Sequence, residues 1–338
     1  MQREAVVGPT AGAVVTDDDD VAEIVVPPGR FAQSTQVRLS LAPEIPSLGG
    51  ARLIGSGAYR IDAVGPTDAV GPTDGGTQGG SPGLRGTVSV RFHWRQALTA
   101  DDIKYLYVKR YHERLRHWIP LPTTVDVRGR VAAAEVTDHL SLFALVLDYS
   151  IPIMEDIGGH WSRAAVLKMA ALEVIGGYPD HTFQPDRQLN RQEFAKMVVL
   201  AAGVPHEGAT ALPFSDTEAI AEWARPYVAA ALKAGVIAGY PDGAFHPLDP
   251  VDRGQMATMV VRASGLLPSA PDGVRFSDRA QIPAWAAGYV ETASRAGLIE
   301  GFPDGTFRPF TVTTRGEAAA VLSRMVEVPV VEAATQGR

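Results

Sequence analysis

The chain has 338 residues, 46% of them hydrophobic, which is room for two to four compact units with buried cores. Its net charge of −7 argues against a nucleic-acid partner, which selects a basic surface, and no apolar run reaches the ~18 residues that a membrane helix needs. Cysteine is absent, which excludes disulfides, thiol catalysis and cysteine metal sites.

Met1-Gln2-Arg3-Glu4-Ala5 lacks the basic-then-apolar order of a secretory leader. Taken by itself, this start predicts a cytoplasmic protein or a chain cut from a longer one. Residues 1–20 are expected to form a tail or a truncated strand ending in the acidic run Asp17 to Asp20. Residues 21–150 read as β-sandwich. Val37-Arg38-Leu39-Ser40-Leu41 and Thr87-Val88-Ser89-Val90-Arg91-Phe92 alternate with period two, and Val131 to Leu147 is rich in β-branched and apolar residues. Short strands broken by Pro and Gly suit a sandwich. Within it, residues 63–83 are of low complexity. Ala63-Val64-Gly65-Pro66-Thr67-Asp68 is repeated at once as Ala69-Val70-Gly71-Pro72-Thr73-Asp74, which predicts a mobile loop grown by duplication.

From about Ile151 the pattern changes to helix and turn, and it becomes periodic. Trp161, Trp223 and Trp285 are 62 residues apart, as are Gly177, Gly239 and Gly301, and Arg191, Arg253 and Arg315. A fixed period means one supersecondary unit copied in tandem. Each copy reads as helix, glycine turn, short extended piece, helix. Such a pair cannot bury its apolar face alone, so the copies are expected to pack on one another. Chemistry repeated three times suits multivalent binding, in which linked sites add avidity, better than catalysis, which needs one site.

The second helix of each copy opens with Asn190-Arg191-Gln192-Glu193, Asp252-Arg253-Gly254-Gln255 or Thr314-Arg315-Gly316-Glu317. Asn, Asp or Thr followed three residues later by Glu or Gln is a capping box. The arginine inside it has no such explanation. At the first helical position it is expected to point outward beside unpaired N–H groups, where Asp or Glu would suit the helix dipole better. Three such cations suggest a receptor for an anion such as a carboxylate, met by two parallel hydrogen bonds. The competing expectation is a salt bridge to a neighbouring repeat. The turns Gly177-Tyr178-Pro179-Asp180, Gly239-Tyr240-Pro241-Asp242 and Gly301-Phe302-Pro303-Asp304 are strong turn signals. Their leading glycine could end the first helix in a left-handed conformation or leave its N–H open to a ligand. The alternating acidic ligands and late Glu of a calcium loop are missing there, so no metal or cofactor is expected. Each Trp opens a first helix, either as core or as a half-exposed platform for a sugar ring. Asp156, Asp216 and Asp278 are expected to cap that helix or to turn the chain into it.

These residues together resemble S-layer homology domains. The matching features are Phe214-Ser215-Asp216 with Trp223, Phe276-Ser277-Asp278 with Trp285, the Gly-Tyr-Pro-Asp-Gly-x-Phe-x-Pro turns and the Thr-Arg-x-Glu type of helix start. The likeness gives repeats at 153–203, 213–265 and 275–328, within a multidomain α+β chain. It implies a pseudo-threefold helical assembly that holds a bacterial surface protein non-covalently to secondary cell-wall polysaccharide, often carrying pyruvylated amino sugars. It further implies an extracellular place in the wall or S-layer, with other S-layer subunits as further partners, and this outweighs the missing leader. By the same resemblance Arg191, Arg253, Arg315, Trp161, Trp223, Trp285, Gly177, Gly239 and Gly301 are the ligand contacts, in grooves between repeats. Asn190 and His181 depart from the pattern in the first repeat. In the second, Asp252 beside Arg253 is expected to neutralise it in part, which makes this the weakest site. The upstream unit resembles the immunoglobulin-like modules found beside such repeats, through Tyr105-Leu106-Tyr107, Trp118-Ile119-Pro120-Leu121-Pro122 and His139-Leu140-Ser141-Leu142-Phe143-Ala144-Leu145.

Two enzymatic alternatives compete with a non-catalytic anchor. His139-Leu140-Ser141 resembles the cleavage motif of autoproteolytic sandwich domains, in which Ser141 would attack the Leu140 carbonyl with His139 as base. A hydrolase of the wall polymer would need two carboxylates across a cleft, and no unrepeated acidic pair stands out.

Overall fold

The structure is a computed structural model that describes residues 2–65, 84–206, 212–270, 273 and 275–328. The chain divides into two compact units, Met1–Ile153 and Met154–Arg338.

The first unit is built from two antiparallel sheets. One has the order β1 (Gln2–Val7), β4 (Thr35–Leu41), β6 (Tyr59–Val64), β12 (Leu142–Leu147), β8 (Leu106–His112), β9 (His117–Pro120), with the short β5 (Arg52–Leu53) also on β12. The other runs β10 (Thr123–Asp126), β11 (Val131–Val136), β7 (Val88–His93), β3 (Ala22–Val26), β2 (Ala13–Thr16). The period-two pattern fixes which face is inside: Val37 and Leu39 of β4, Ile24 and Val26 of β3, and Val90 and Phe92 of β7 are all buried in one cluster. A five-residue helix, α1 (Ala100–Lys104), is held by a complete Thr99–Asp102 capping box.

The tail expected over residues 1–20 is instead two strands. Gln2 to Val7 pairs with Ser40 to Thr35, and Ala13 to Thr16 pairs with Val26 to Glu23. Val7 and Val15 lie in the core, and that burial outweighs the polar composition around them. Asp17 makes the turn from β2 to β3: its carboxylate accepts the Val21 and Ala22 N–H groups and the Tyr59 hydroxyl. Of the loop expected over 63–83, Ala63 and Val64 end β6, and residues 66–83 lie outside the described residues.

In the second unit each repeat supplies two helices: α2 (Arg163–Ala171) with α3 (Arg191–Ala201), α4 (Arg225–Lys233) with α5 (Arg253–Ala263), and α6 (Ala284–Arg295) with α7 (Arg315–Met325). Capping boxes start α3 and α7 in both directions, whereas at α5 only Asp252 bonds, to the Gln255 N–H. The first helix of each repeat packs on the second helix of the one before: α4 on α3, α6 on α5, and α2 on α7. The last pairing closes a ring. Lys168 of α2 bonds the Ser323 carbonyl at 2.8 Å and the Glu327 carboxylate across that joint.

The axis of the ring is a cycle of backbone hydrogen bonds. Leu189 N–H donates to Thr313, Thr313 to Val251, and Val251 to Leu189, at 3.1, 2.8 and 2.9 Å. All three side chains are fully buried. Around them one continuous core takes in Phe194, Met256 and Phe245, with residues from every repeat. This is the pseudo-threefold assembly that the family resemblance implies.

Candidate binding grooves

The three arginines at the helix starts point inward, not to solvent. Arg191, Arg253 and Arg315 are 6%, 6% and 8% exposed. Each leaves its own repeat and enters the turn of another. Arg191 Nε donates to the Phe245 carbonyl at 3.0 Å, Arg253 Nε to Phe307 at 2.9 Å, and Arg315 Nε to Phe183 at 2.9 Å. Their Nη2 groups bond the carbonyls of Ala238, Glu300 and Gly176. Each guanidinium also lies between two rings: Tyr240 and Phe245, Phe302 and Phe307, or Tyr178 and Phe183. Burial pushes all three below their ordinary pKa, though a guanidinium stays charged at neutral pH. Among the described residues none of the three meets a carboxylate at salt-bridge distance, and Nη1 of each has no protein partner.

The N–H groups beside these arginines are not free either. Arg191 and Gln192 donate theirs to the carbonyls of Asp249 and Pro247, Arg253 and Gly254 to Thr311 and Pro309, and Arg315 and Gly316 to Arg187 and Pro185. The third N–H goes to the cap side chain. The helix starts therefore bind the neighbouring repeat, which satisfies the donors that every helix leaves open. Asp252 likewise acts on Arg191 rather than on its sequence neighbour Arg253.

Asp156, Asp216 and Asp278 do not cap the first helices. Their carboxylates accept two successive N–H groups far along the chain: Phe183 and Gln184, Phe245 and His246, Phe307 and Arg308. The second residue of each pair has a left-handed backbone, with φ of 57°, 56° and 57°. That turn aims two N–H groups at one anion. Each Phe is thus gripped at its N–H by an Asp of its own repeat and at its carbonyl by an Arg of another.

Open grooves remain between the repeats. One, of about 430 Å³, is walled by the turn 236–241, by α5, by Arg191 and by Trp285. A second, of about 240 Å³, is walled by the turn 174–178, by α3, by Arg315 and by Trp223. Each groove therefore takes its turn and helix from one repeat, its Trp from the next and its Arg from the third. The Trp, Gly and Arg of a single repeat do not meet. By the same rotation Gly301 and Arg253 belong with α7, against which the first repeat's α2 packs.

The indoles are exposed rather than core: Trp161, Trp223 and Trp285 are 63%, 47% and 53% exposed. Gly177, Gly239 and Gly301 are not left-handed. The left-handed residues ending the first helices are Glu173, Gly235 and Gly297. At Gly239 a Cβ would lie 2.8 Å from the Phe214 ring, and at Gly301 2.5 Å from Phe276, so close packing explains these glycines. Among the described residues the N–H groups of Gly177, Gly239 and Gly301 make no hydrogen bond. Beyond the nine expected residues, the walls add Gln255, Thr258 and Arg262 of α5, and Glu193 and Lys196 of α3. Their spacing of three, four and seven residues marks one helix face, a signal present in the sequence.

In the first unit the components for self-cleavage are not assembled. The Ser141 hydroxyl donates to the Tyr111 carbonyl at 3.1 Å, and His139 pairs with Asp138. Among the described residues no group of acidic, His or Cys side chains forms a metal site, and no helix is long and apolar enough to cross a membrane.

Residues 154–195, 213–257 and 275–319 match the S-layer homology domain family. The chain is 31% identical over 183 residues to a cellulosome-anchoring protein of Acetivibrio thermocellus, covering 51% of this chain and 38% of that one. It is 28% identical over 151 residues to a surface layer protein of Brevibacillus choshinensis, covering 44% and 12%. It is 27% identical over 232 residues to an amylopullulanase of Thermoanaerobacterium thermosulfurigenes, covering 68% and 12%. The chain thus spans well under two thirds of the length of each of these relatives. Three matched segments, each placed in one part of a closed helical ring, identify the second unit as a set of three S-layer homology domains.

Proposed function

We propose that this chain is a non-catalytic anchor that holds a bacterial surface protein to the secondary cell-wall polysaccharide, through sugar residues that carry a carboxylate such as a pyruvate ketal. The observation that carries this reading is the make-up of the grooves. Each of the two cavities combines a buried guanidinium with a spare N–H, a glycine N–H without a partner, and an exposed indole. A carboxylate on a sugar ring suits that set: the anion takes the N–H donors, and the ring's apolar face covers the Trp. Two such grooves on one ring give avidity. The names of the relatives point the same way, since one is a cellulosome-anchoring protein and another a surface layer protein.

The test is sedimentation of the full chain with purified sacculi of the bacterium that makes it, before and after chemical removal of the ketal. The chain is expected to pellet with native sacculi and to stay in solution with stripped ones. A chain that stays in solution with both refutes the anchor, and one that pellets equally with both refutes the carboxylate.

A further inference from the structure

Resting on that reading, we infer that the grooves are not equivalent: the groove on the second repeat is the principal seat of the acidic sugar, and Arg262 is its second carboxylate-binding cation. The first-repeat groove is largely occupied by its own side chains. Lys196 Nζ lies 5.6 Å from the Trp223 ring centre and 5.4 Å from that of Tyr227, so an ammonium already covers the indole. Glu193 adds a carboxylate to the same wall, held there by its capping box and by Arg187. An incoming anion would meet that negative charge, and an incoming ring would have to displace the lysine.

Every one of these obstacles is replaced in the second-repeat groove. Thr258 stands where Lys196 stands, and its hydroxyl is turned back to the Gly254 carbonyl. Trp285 is left uncovered. Gln255 stands where Glu193 stands and so removes the carboxylate. It does not close a capping box but bonds the Tyr240 hydroxyl at 2.9 Å, with its Oε1 buried and unpaired. Arg262 stands where the first repeat has Leu200, and its guanidinium is held against Tyr289, 5.0 Å from the ring centre with Nε 3.2 Å from the hydroxyl. The lining therefore carries two guanidiniums and no acidic side chain, in the larger of the two cavities. Asp252 acts on Arg191, but its carboxylate is engaged with the Gln255 N–H and does not line the cavity. The ordering is the reverse of the one the sequence suggests for the second repeat.

The experiment is calorimetric titration of the full chain with soluble fragments of the wall polysaccharide, with the ketal intact and after mild-acid removal. The wild type is expected to prefer the ketal form by tenfold or more. Arg262→Ala should lose about tenfold for that form and little for the stripped one, so that the preference collapses, and Arg262→Lys should fall between. Thr258→Lys, which puts the first groove's cation beside Trp285, should lose as much, while Lys196→Thr, which uncovers Trp223, should gain affinity. Circular dichroism confirms that each variant is folded. The ranking is overturned if Arg262→Ala and Thr258→Lys bind within twofold of wild type while Trp223→Ala abolishes binding. If the wild type binds neither form, the anchoring itself is refuted and the ranking with it.

Discussion

Arg191 belongs to the first repeat by sequence and to the second by structure, because its Nε donates to the Phe245 carbonyl, 54 residues further on, at 3.0 Å. The same bond recurs from Arg253 to Phe307 and from Arg315 to Phe183. These side chains are therefore joints of the ring as well as groove walls.

Removing one joint should cost stability. Arg191→Ala, Arg253→Ala or Arg315→Ala leaves two carbonyls without a donor and a gap between two rings. Each is expected to destabilise the second unit by about 3 kcal/mol, from charged hydrogen bonds lost and polar groups left unpaired. Lys restores the charge but not the planar fork, so it should recover less than half. Urea melts followed by tryptophan fluorescence measure this, and wild-type midpoints for all three would refute it. The triple Ala variant should be unfolded, so its failure to bind sacculi would not by itself implicate the guanidiniums in ligand contact.

The indoles allow a cleaner separation. Trp223→Ala and Trp285→Ala remove half-exposed rings, and surface changes of this kind cost within about 0.5 kcal/mol. Thermal melts should stay near wild type while sacculus binding falls, far more for Trp285→Ala than for Trp223→Ala. A large drop in melting temperature would mean that the rings serve the core.

Asp252 gives a pH dependence. Burial holds its carboxyl above the ordinary carboxylate pKa, so the folded state binds that proton more tightly than the unfolded chain does. Its contribution is fully present below the ordinary value near ~3.9 and is lost as the pH rises through the raised folded value. At neutral pH it is a cost. Asp252→Asn keeps the cap oxygen, as Asn190 does in the first repeat, and should be more stable than wild type at pH 7. The advantage should shrink as the pH falls toward 3.5. Denaturant midpoints at the two pH values measure it, and a variant less stable at pH 7 contradicts it.

Asp216 clamps two N–H groups, one of them on left-handed His246. Asp216→Ala should cost about 2–3 kcal/mol by leaving both unpaired, and Asp216→Asn, with one acceptor oxygen, about half as much. Equal stability of the Ala and Asn variants would show that the carboxylate does not carry this turn.

The first unit should remain intact. Because the Ser141 hydroxyl is turned to the Tyr111 carbonyl, a denaturing gel should show one band for the 36.0 kDa chain, with or without Ser141→Ala. Two fragments that disappear in the Ser141→Ala variant would establish self-cleavage.

Much of this was legible before any coordinates. The 62-residue period predicts the copies, their helix starts and their mutual packing, because each is a local pattern. The destinations of Arg191, Asp156 and Trp285 were not legible. Periodicity states what recurs but not which copy receives a given side chain, and the receivers are groups such as the Phe245 carbonyl and the Gln184 N–H, which carry no residue signature. The first 20 residues misled for a similar reason. Val7 and Val15 read as isolated apolar residues until β1 finds β4 and β2 finds β3.

The cycle of N–H donors through Leu189, Thr313 and Val251 has no beginning or end. An open solenoid tolerates gain or loss of a unit, because only its two terminal units need special faces. Here a fourth copy has no place in the circuit. A deletion that leaves two copies breaks every groove at once, since each draws on all three. Copy number in this protein is a condition for having either groove at all, and adding or trimming units within one chain breaks the ring instead of lengthening it.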